Sequence, residues 1–462
     1  MKYIGNCAKD LNIAYIGGGS RDWAWCFMRD LALEEQMEGA IRLYDIDREA
    51  AENNAIIGNL ISGLPNAKAR WRYTAVDSLR EALIGADFVI ISILPGTFDE
   101  MESDVHAPEK YGVYQAVGDT VGPGGCIRSL RAIPMFVSFA EAIRQYAPDA
   151  WVLNFTNPMA QCVAALYAVY PNIRAFGCCH EVFHAMDLLC CMLRDKLGVN
   201  VRRQALRCAL SGVNHFTWIT AACYHEIDLF PLFRAFCLEH LETGYDESGH
   251  DSWRGDPFKC SHRAMMDMFL RYGAIPAGND RHIAEFLPPW YLKDPETVRN
   301  WGFSLTPVAW RKEDLKKRLA RSDRLRRGEE SIALEPSGEE GHLMMKALLG
   351  LGDMLTNVNM PNRGQVPNLP LGAVVETNAL FGRQGITPVP AELPGGPLGL
   401  VMPHAVNQKN VLKAVMSGDK ELAFQAFLNE PLLQGVSPWD ARSLFEEMLK
   451  NTAPYLPEAF KA

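Results

Sequence analysis

The first half of the chain alternates short apolar runs with longer amphipathic stretches. Residues 11–16 form an apolar run that Gly17, Gly18, Gly19 and Ser20 break, residues 23–33 read as a helix, and residues 40–44 form a second strand ending at Asp45. The alternation continues with a helix over 49–62, a buried strand over 88–93, a helix over 131–146 and a strand over 151–155. Residues 173–176 are again apolar and lead into Gly177-Cys178-Cys179-His180-Glu181-Val182 ahead of an amphipathic segment. Continuous apolar strands separated by helices predict a parallel sheet covered on both faces, an α/β doubly wound, Rossmann-type fold. The polar, glycine-dense stretch 118–125 is expected to be a loop carrying Asp119.

Past residue 212 the alternation fades. A strand is expected over 217–223, helices over 232–241 and 258–271, and a charged exposed helix or loop over 311–327. Residues 278–286 pack five polar or charged groups into a short span, with Asp280 near a helix cap. Residues 357–364 read as a turn-rich loop, residues 374–376 as the end of a strand, and 407–427 and 439–450 as closing helices. The expected division is a dinucleotide-binding domain over 1–212 and an α+β domain over 213–462 for substrate, metal and oligomer contacts.

Composition narrows the function classes. The 462 residues are 48% hydrophobic, enough for two cores. The net charge is -9 with no basic block, which argues against nucleic acid as a partner. No apolar run approaches the roughly 20 residues of a membrane span, and no secretory core precedes residue 11. The 12 cysteines lack the spacing of a small disulfide domain and include no Cys-x-x-Cys pair. They are expected to be reduced thiols in the cytoplasm.

The first glycine turn has a plain chemical reading. Gly17, Gly18, Gly19 and Ser20 let backbone approach a pyrophosphate at a helix amino terminus, and Asp45 can accept from a ribose hydroxyl. An acid there without an arginine directly after it favours NAD over NADP, although Asp47 and Arg48 follow closely. Asn157-Pro158, after a strand, resembles the turn that lines the substrate site of lactate and malate dehydrogenases. Cys179 and His180 stand at a strand end, where ligands of such sheets sit, and His215 follows another apolar run. A thiol and imidazoles suggest a metal or a reactive cysteine. The competing reading of Cys178 and Cys179 is small buried apolar residues.

Taken together, 16–20, 43–47, 119–125, 154–158, Cys179-His180 and Asn214-His215 resemble glycoside hydrolase family 4, the NAD- and metal-dependent glycosidases. The similarity runs from residue 11 to the final helices. The residues Cys179-His180-Glu181-Val182 resemble the α-galacturonidase branch, where the phosphosugar and neutral-hexoside branches carry Cys-His-Ser. The resemblance implies redox-neutral hydrolysis: NAD takes hydride from sugar carbon 3, a base removes the carbon 2 proton, the leaving group departs, water adds, and hydride returns. It implies Cys179 and His215 as ligands of Mn2+, with the metal acting as a Lewis acid. It also implies a homodimer or homotetramer.

Other roles are expectations of the same kind. Asp280 is the first choice for the base, with Tyr272 and Tyr291 as alternatives. Asp119 would protonate the leaving oxygen or position the sugar, and Asn157 would hydrogen-bond a substrate hydroxyl. Arg281 or Arg128 would pair with the uronate carboxylate, while Glu181 and His180 lie at the substrate side. The alternatives are a family 4 α-glucosidase, α-galactosidase or α-glucuronidase. More distant ones are a lactate/malate-type NAD-dependent dehydrogenase and a redox-sensing NAD-binding regulator.

Overall fold

The structure, a computed structural model, describes residues 1–246 and 252–461. Six parallel strands form one side of one mixed sheet. Their spatial order is Trp71–Ala75, Met37–Tyr44, Cys7–Ile16, Phe88–Ile91, Trp151–Asn154 and Arg174–Gly177. The chain starts inside the sheet, runs outward to one edge, and then returns past its start. The strand order therefore reverses between Cys7–Ile16 and Phe88–Ile91, and a ligand crevice opens at their carboxyl ends. Ala14, Ile16, Val89 and Ile91 belong to one apolar core, and Ile13, Tyr15, Phe88 and Ile90 to another. Alternate residues point to opposite faces, so each strand feeds both cores.

The sheet continues beyond the parallel part. Met354–Pro361 pairs antiparallel with Arg174–Gly177 through Asn359 and Gly177, followed by Val374–Gly382, Leu206–Val213 and Phe216–Tyr224. The expected boundary at 212/213 falls at the hairpin of the last two strands, so one sheet runs through both parts. Among the described residues, no helix is long and apolar enough to cross a membrane.

Three local expectations are corrected. Most of the expected loop at 357–364 is strand, through Pro361. Asn357 and Asn359 are accommodated in that strand because their side-chain amides donate to Glu376 Oε1 at 2.7 and 2.9 Å. Glu376 lies in Val374–Gly382, so residues 374–376 open a strand rather than end one. The second half of the glycine-dense stretch is the first turn of the helix Gly122–Tyr146. Glycine is weak in helices, but a Cβ at Gly125 would meet the Thr120 carbonyl carbon at 2.4 Å. Close packing under Asp119 and Thr120 outweighs propensity here.

Candidate active site

The first glycine turn is braced by the acid on the next strand. Gly17 and Gly18 donate their amides to the Tyr44 carbonyl, each at 2.9 Å. Gly19 donates to Asp45 Oδ2 at 2.8 Å and Asp47 donates to Oδ1 at 2.9 Å. Gly17 has φ +88°, and a Cβ there would fall 2.0 Å from the Ser92 carbonyl oxygen. Burial raises the Asp45 pKa and the two amides oppose that rise. Each carboxylate oxygen retains a lone pair for a further donor. The helix Trp23–Leu33 begins directly beyond, so backbone and a helix amino terminus face the crevice.

The reacting pocket gathers around His215. This residue occupies a left-handed turn, φ +65°, between Leu206–Val213 and Phe216–Tyr224. Donor atoms of Asp119, His215 and His282 lie within 4.8 Å of one another. The rings of His215 and His282 are 4.0 Å apart between centroids. Thr120 Oγ1 donates to Asp119 Oδ1 at 2.7 Å and sits 2.9 Å from His215 Nδ1. The hydroxyl has a single proton, so it accepts from the Nδ1–H of His215, and Nε2 keeps a free lone pair. Burial, followed by the neighbouring His282, holds the His215 pKa down to about 3, so the ring is neutral. Asp119 is the reverse case. Burial pushes its carboxyl up, but His282, His215 and Arg128 outweigh this and hold it at about 2.

Glu181 binds the pocket together from behind. It opens the helix Glu181–Leu197 and is 7% exposed. Its Oε2 accepts from the Asn279 amide at 2.9 Å, while Oε1 lies 3.6 Å from His282 Nε2 and 3.8 Å from His184 Nε2. Burial pushes its pKa up, and four histidines, His282 first, reverse this and hold it well below the carboxylate range. A glutamate at this position is thus surrounded by imidazoles rather than left beside another acid.

Cys179 stands at the same helix start and lies outside the three-donor group. Its thiol meets the backbone amide of Glu181 and the Asn214 side chain, and burial pushes its pKa well up. Asn157 Oδ1, Arg128 Nη1 and His282 Nδ1 are buried without a hydrogen-bond partner. Buried polar groups are nearly always satisfied, and these three atoms, which lie around one pocket, could be completed by a polar ligand. Asn157 Nδ2 donates to Asp119 Oδ2 at 3.3 Å, and Arg128 Nε donates to the Asn157 carbonyl at 3.2 Å.

The other expected residues are placed elsewhere. Asp280 is fully buried, and its two oxygens accept from the amides of Ala264 and Met265 at 3.1 and 3.0 Å, capping the helix Arg263–Tyr272. Burial raises its pKa to about 7. Tyr291 donates to Asp267 at 2.7 Å, and Tyr272 packs on Trp218. Arg281 is committed to the Ala116 carbonyl, the Ser304 carbonyl and Thr306, so its head is not free to clamp a substrate. His180 pairs with Glu339 at 3.0 Å and packs on Trp23, on the side of the glycine turn. Sequence reasoning missed His282, Thr120 and Asn214 as pocket residues. The available signals were an unassigned histidine inside the polar span 278–286 and the immediate neighbours of Asp119 and His215.

Residues 12–194 match the family 4 glycosyl hydrolase profile, and residues 210–433 match the C-terminal domain of the same family. The α-galacturonidase of Thermoanaerobacterium saccharolyticum is 55% identical over 99% of this chain and 98% of its own. The crystal structure of lplD from Bacillus subtilis superposes with a TM-score of 0.91 at 51% identity, covering 96% of this chain and 100% of the other. A 6-phospho-α-glucosidase from gut microorganisms, solved with NAD and Mn2+, shares the fold at a TM-score of 0.77 and 22% identity over 97% and 99% of the two chains. With both halves matched in order and a near full-length relative at this identity, the chain belongs to the family 4 glycosyl hydrolases.

Proposed function

We propose that this chain is an α-galacturonidase that binds NAD and Mn2+ and hydrolyses α-D-galacturonides. The observation that carries the reading is the buried Arg128 head, with Nη1 unpartnered, beside Asp119 and Asn157. A uronate carboxylate is the acceptor such a head calls for, and the Thermoanaerobacterium relative bears the name of that activity.

The residues fit both implied groups. The Gly17–Ser20 turn and Asp45 suit a dinucleotide, as bare backbone and an acid at the switch point. Cys179 and His215, at two strand ends, would hold the metal, and donor atoms of Asp119 and His282 lie within 4.8 Å of that of His215. A thiol, which a bound metal would deprotonate despite its raised pKa, and a neutral imidazole with free Nε2 would be competent donors. When bound, NAD supplies a reversible hydride acceptor and the metal a Lewis acid. The chain itself orients the sugar: ionised Asp119 and the orphaned Asn157 Oδ1 accept from sugar hydroxyls, and Arg128 holds the carboxylate. Thr120 fixes Asp119 and His215 relative to one another. Asp280 acts in this reading through the helix it caps.

We further infer a homo-oligomer working in the cytoplasm. The twelve cysteines form no disulfide, which suits a reducing compartment, and Trp439, 84% exposed, offers apolar surface to a partner.

The test is an aryl α-galacturonide with NAD, Mn2+ and a thiol reductant. Phenol release should need both additions, with no accumulation of NADH. Stoichiometric NADH would mark a dehydrogenase. Comparable kcat/KM on the neutral α-galactoside would remove the uronate half of the reading.

A further inference from the structure

A row of residues stands in register across the part of the sheet that lies between Cys179 and His215. Gly177 pairs with Asn359, Asn359 with Glu376, Glu376 with Gly212, and Gly212 with Thr217, all in antiparallel strands. Cys179 follows Gly177 by two residues, and His215 lies in the turn between Gly212 and Thr217. Residues paired directly across antiparallel strands share a face. The side chains of Asn359, Glu376 and Thr217 are therefore on one face, and all three are fully buried. Gly212 puts no side chain between Glu376 and Thr217.

Glu376 joins the row together. Its Oε1 accepts from Asn357 Nδ2 at 2.7 Å and from Asn359 Nδ2 at 2.9 Å. Its Oε2 accepts from Thr217 Oγ1 at 2.6 Å. Asn357 Nδ2 carries two protons, and the second goes to the Cys179 carbonyl at 2.8 Å. Asn357 thus ties Glu376 to the segment bearing one proposed metal ligand. Thr217 ties it to the other: its hydroxyl also lies 3.1 Å from the Val213 carbonyl, across the His215 turn.

Such a network is costly in the interior of a sheet. Val358, Val374, Val375 and Ala379 of the same two strands are buried and apolar, and an apolar side chain at 376 would need no hydrogen bonds. The three donors to Glu376 are uncharged, so none of them offsets desolvation of the acid as a cation would. Asparagine is also a poor strand residue. A buried polar network that is fully bonded rigidifies its surroundings, and local rules are broken mainly where function requires a fixed geometry. Metal ligands need that kind of support from outside their own shell.

We propose that Glu376 is a positioning residue that sets the separation of Cys179 and His215, through Asn357 on one side and Thr217 on the other. The assignment rests on the placement of the metal at Cys179 and His215 proposed above.

The experiment uses the full chain and reads metal binding rather than turnover. Mn2+ affinity is measured by equilibrium titration, and Co2+ is added in its place for the near-ultraviolet band that marks a thiolate ligand. Asn357→Leu frees the Cys179 carbonyl and should lower Mn2+ affinity by about 10- to 100-fold and weaken the cobalt–thiolate band. Thr217→Val should lower the affinity with the band retained at saturating Co2+. Glu376→Leu should lose affinity as well, and Glu376→Gln should recover most of that loss. The glutamine oxygen accepts from both asparagines, its NH2 donates to Thr217, and the threonine proton passes to the Val213 carbonyl. Asn359→Leu controls for stability alone. It removes a buried donor to the same carboxylate, one with no bond to Cys179 or Thr217, so Tm should fall while Mn2+ affinity stays near that of the wild type. The positioning role is overturned by an affinity loss in Asn359→Leu equal to that in Asn357→Leu, by unchanged affinity and band in Asn357→Leu, or by a Glu376→Gln protein as weak as Glu376→Leu. The two asparagine variants decide the matter even where Glu376→Leu does not fold. Failure of the metal placement is seen separately, on the unmodified protein, as Co2+ binding without a thiolate band.

Discussion

Glu181 Oε1 lies 3.6 Å from Nε2 of His282, and both side chains are nearly buried. The same carboxylate is fixed through its other oxygen by the Asn279 amide, one turn before His282. Glu181 thus sets where the His282 ring sits over His215. Partners of this kind typically cost about 10- to 100-fold in metal affinity or activity when removed. Glu181→Gln keeps an acceptor for Asn279 but loses the charge that faces His282 and His184. It should lower kcat and Mn2+ affinity by about that factor with Tm nearly unchanged. Equilibrium metal titration checks this, and wild-type affinity in the variant would remove the positioning role.

The metal assignment predicts separate losses. Cys179→Ala and His215→Ala should each abolish turnover while leaving NAD binding and the fold intact. Full manganese occupancy in both, measured by elemental analysis, would sink the pair. His282→Ala separates the candidates further: retention of metal with loss of turnover assigns His282 to substrate, whereas loss of metal places it in the coordination shell.

The glycine turn makes a narrower prediction. A Cβ at Gly19 would come within 2.7 Å of the Ala50 Cβ and 2.9 Å of Asp45 Oδ2. Gly19→Ala should force the turn away from Asp45 and weaken NAD binding at least tenfold, read by fluorescence titration, with a smaller effect on metal affinity.

Much of this arrangement is legible in the sequence. The glycine turn, Asp45, Asp119, Asn157 and His215 stand at strand ends or in polar breaks between apolar runs, and such positions collect at one edge of a doubly wound sheet. The span 278–286 is different. Its polar density is visible, but the direction of each side chain is set by packing. Successive residues of the short helix Asp280–Glu285 turn by roughly 100°. Asp280 therefore reaches the helix Arg263–Tyr272, Arg281 reaches Ala116 and Thr306, and Glu285 reaches the amides of Val117 and Gly118. His282 alone of these four enters the pocket.

The role of Asp280 can be decided directly. As a helix cap with both oxygens on backbone amides, Asp280→Asn should lower stability by about 0.5–2 kcal/mol and leave kcat within tenfold. Loss of a general base usually costs about 10²- to 10⁴-fold. Turnover in deuterated water adds a second reading, because elimination places deuterium at carbon 2 of the product. If Asp280→Asn retains its fold but loses both exchange and cleavage, the carboxyl removes that proton after all.

The last prediction concerns pH and Glu430, a buried carboxyl that accepts from the Gly122 amide at 2.8 Å. Burial raises the Glu430 pKa from 4.5 to about 7, against the opposing Gly122 amide and Asn407 side chain. Burial raises Glu285 to about 8 in the same way. Below pH 4.5 such a group is protonated whether the chain is folded or not, and its contribution is fully present. Between 4.5 and 7 the unfolded chain releases the Glu430 proton while the folded chain keeps it. The folded state then binds more protons, so stability falls as pH rises. Ionisation of Glu430 therefore removes stability from the wild type between about pH 5 and pH 7.5, while the buried His215, His262 and His404, whose pKa values are depressed, add stability as pH rises toward 6.5. Glu430→Gln cannot release that proton and should lack this loss over the same interval, measured by scanning calorimetry at fixed ionic strength. Parallel Tm curves for the two proteins would show that Glu430 is ionised in the folded state at pH 5, and that its contacts with Gly122 and Asn407 outweigh burial.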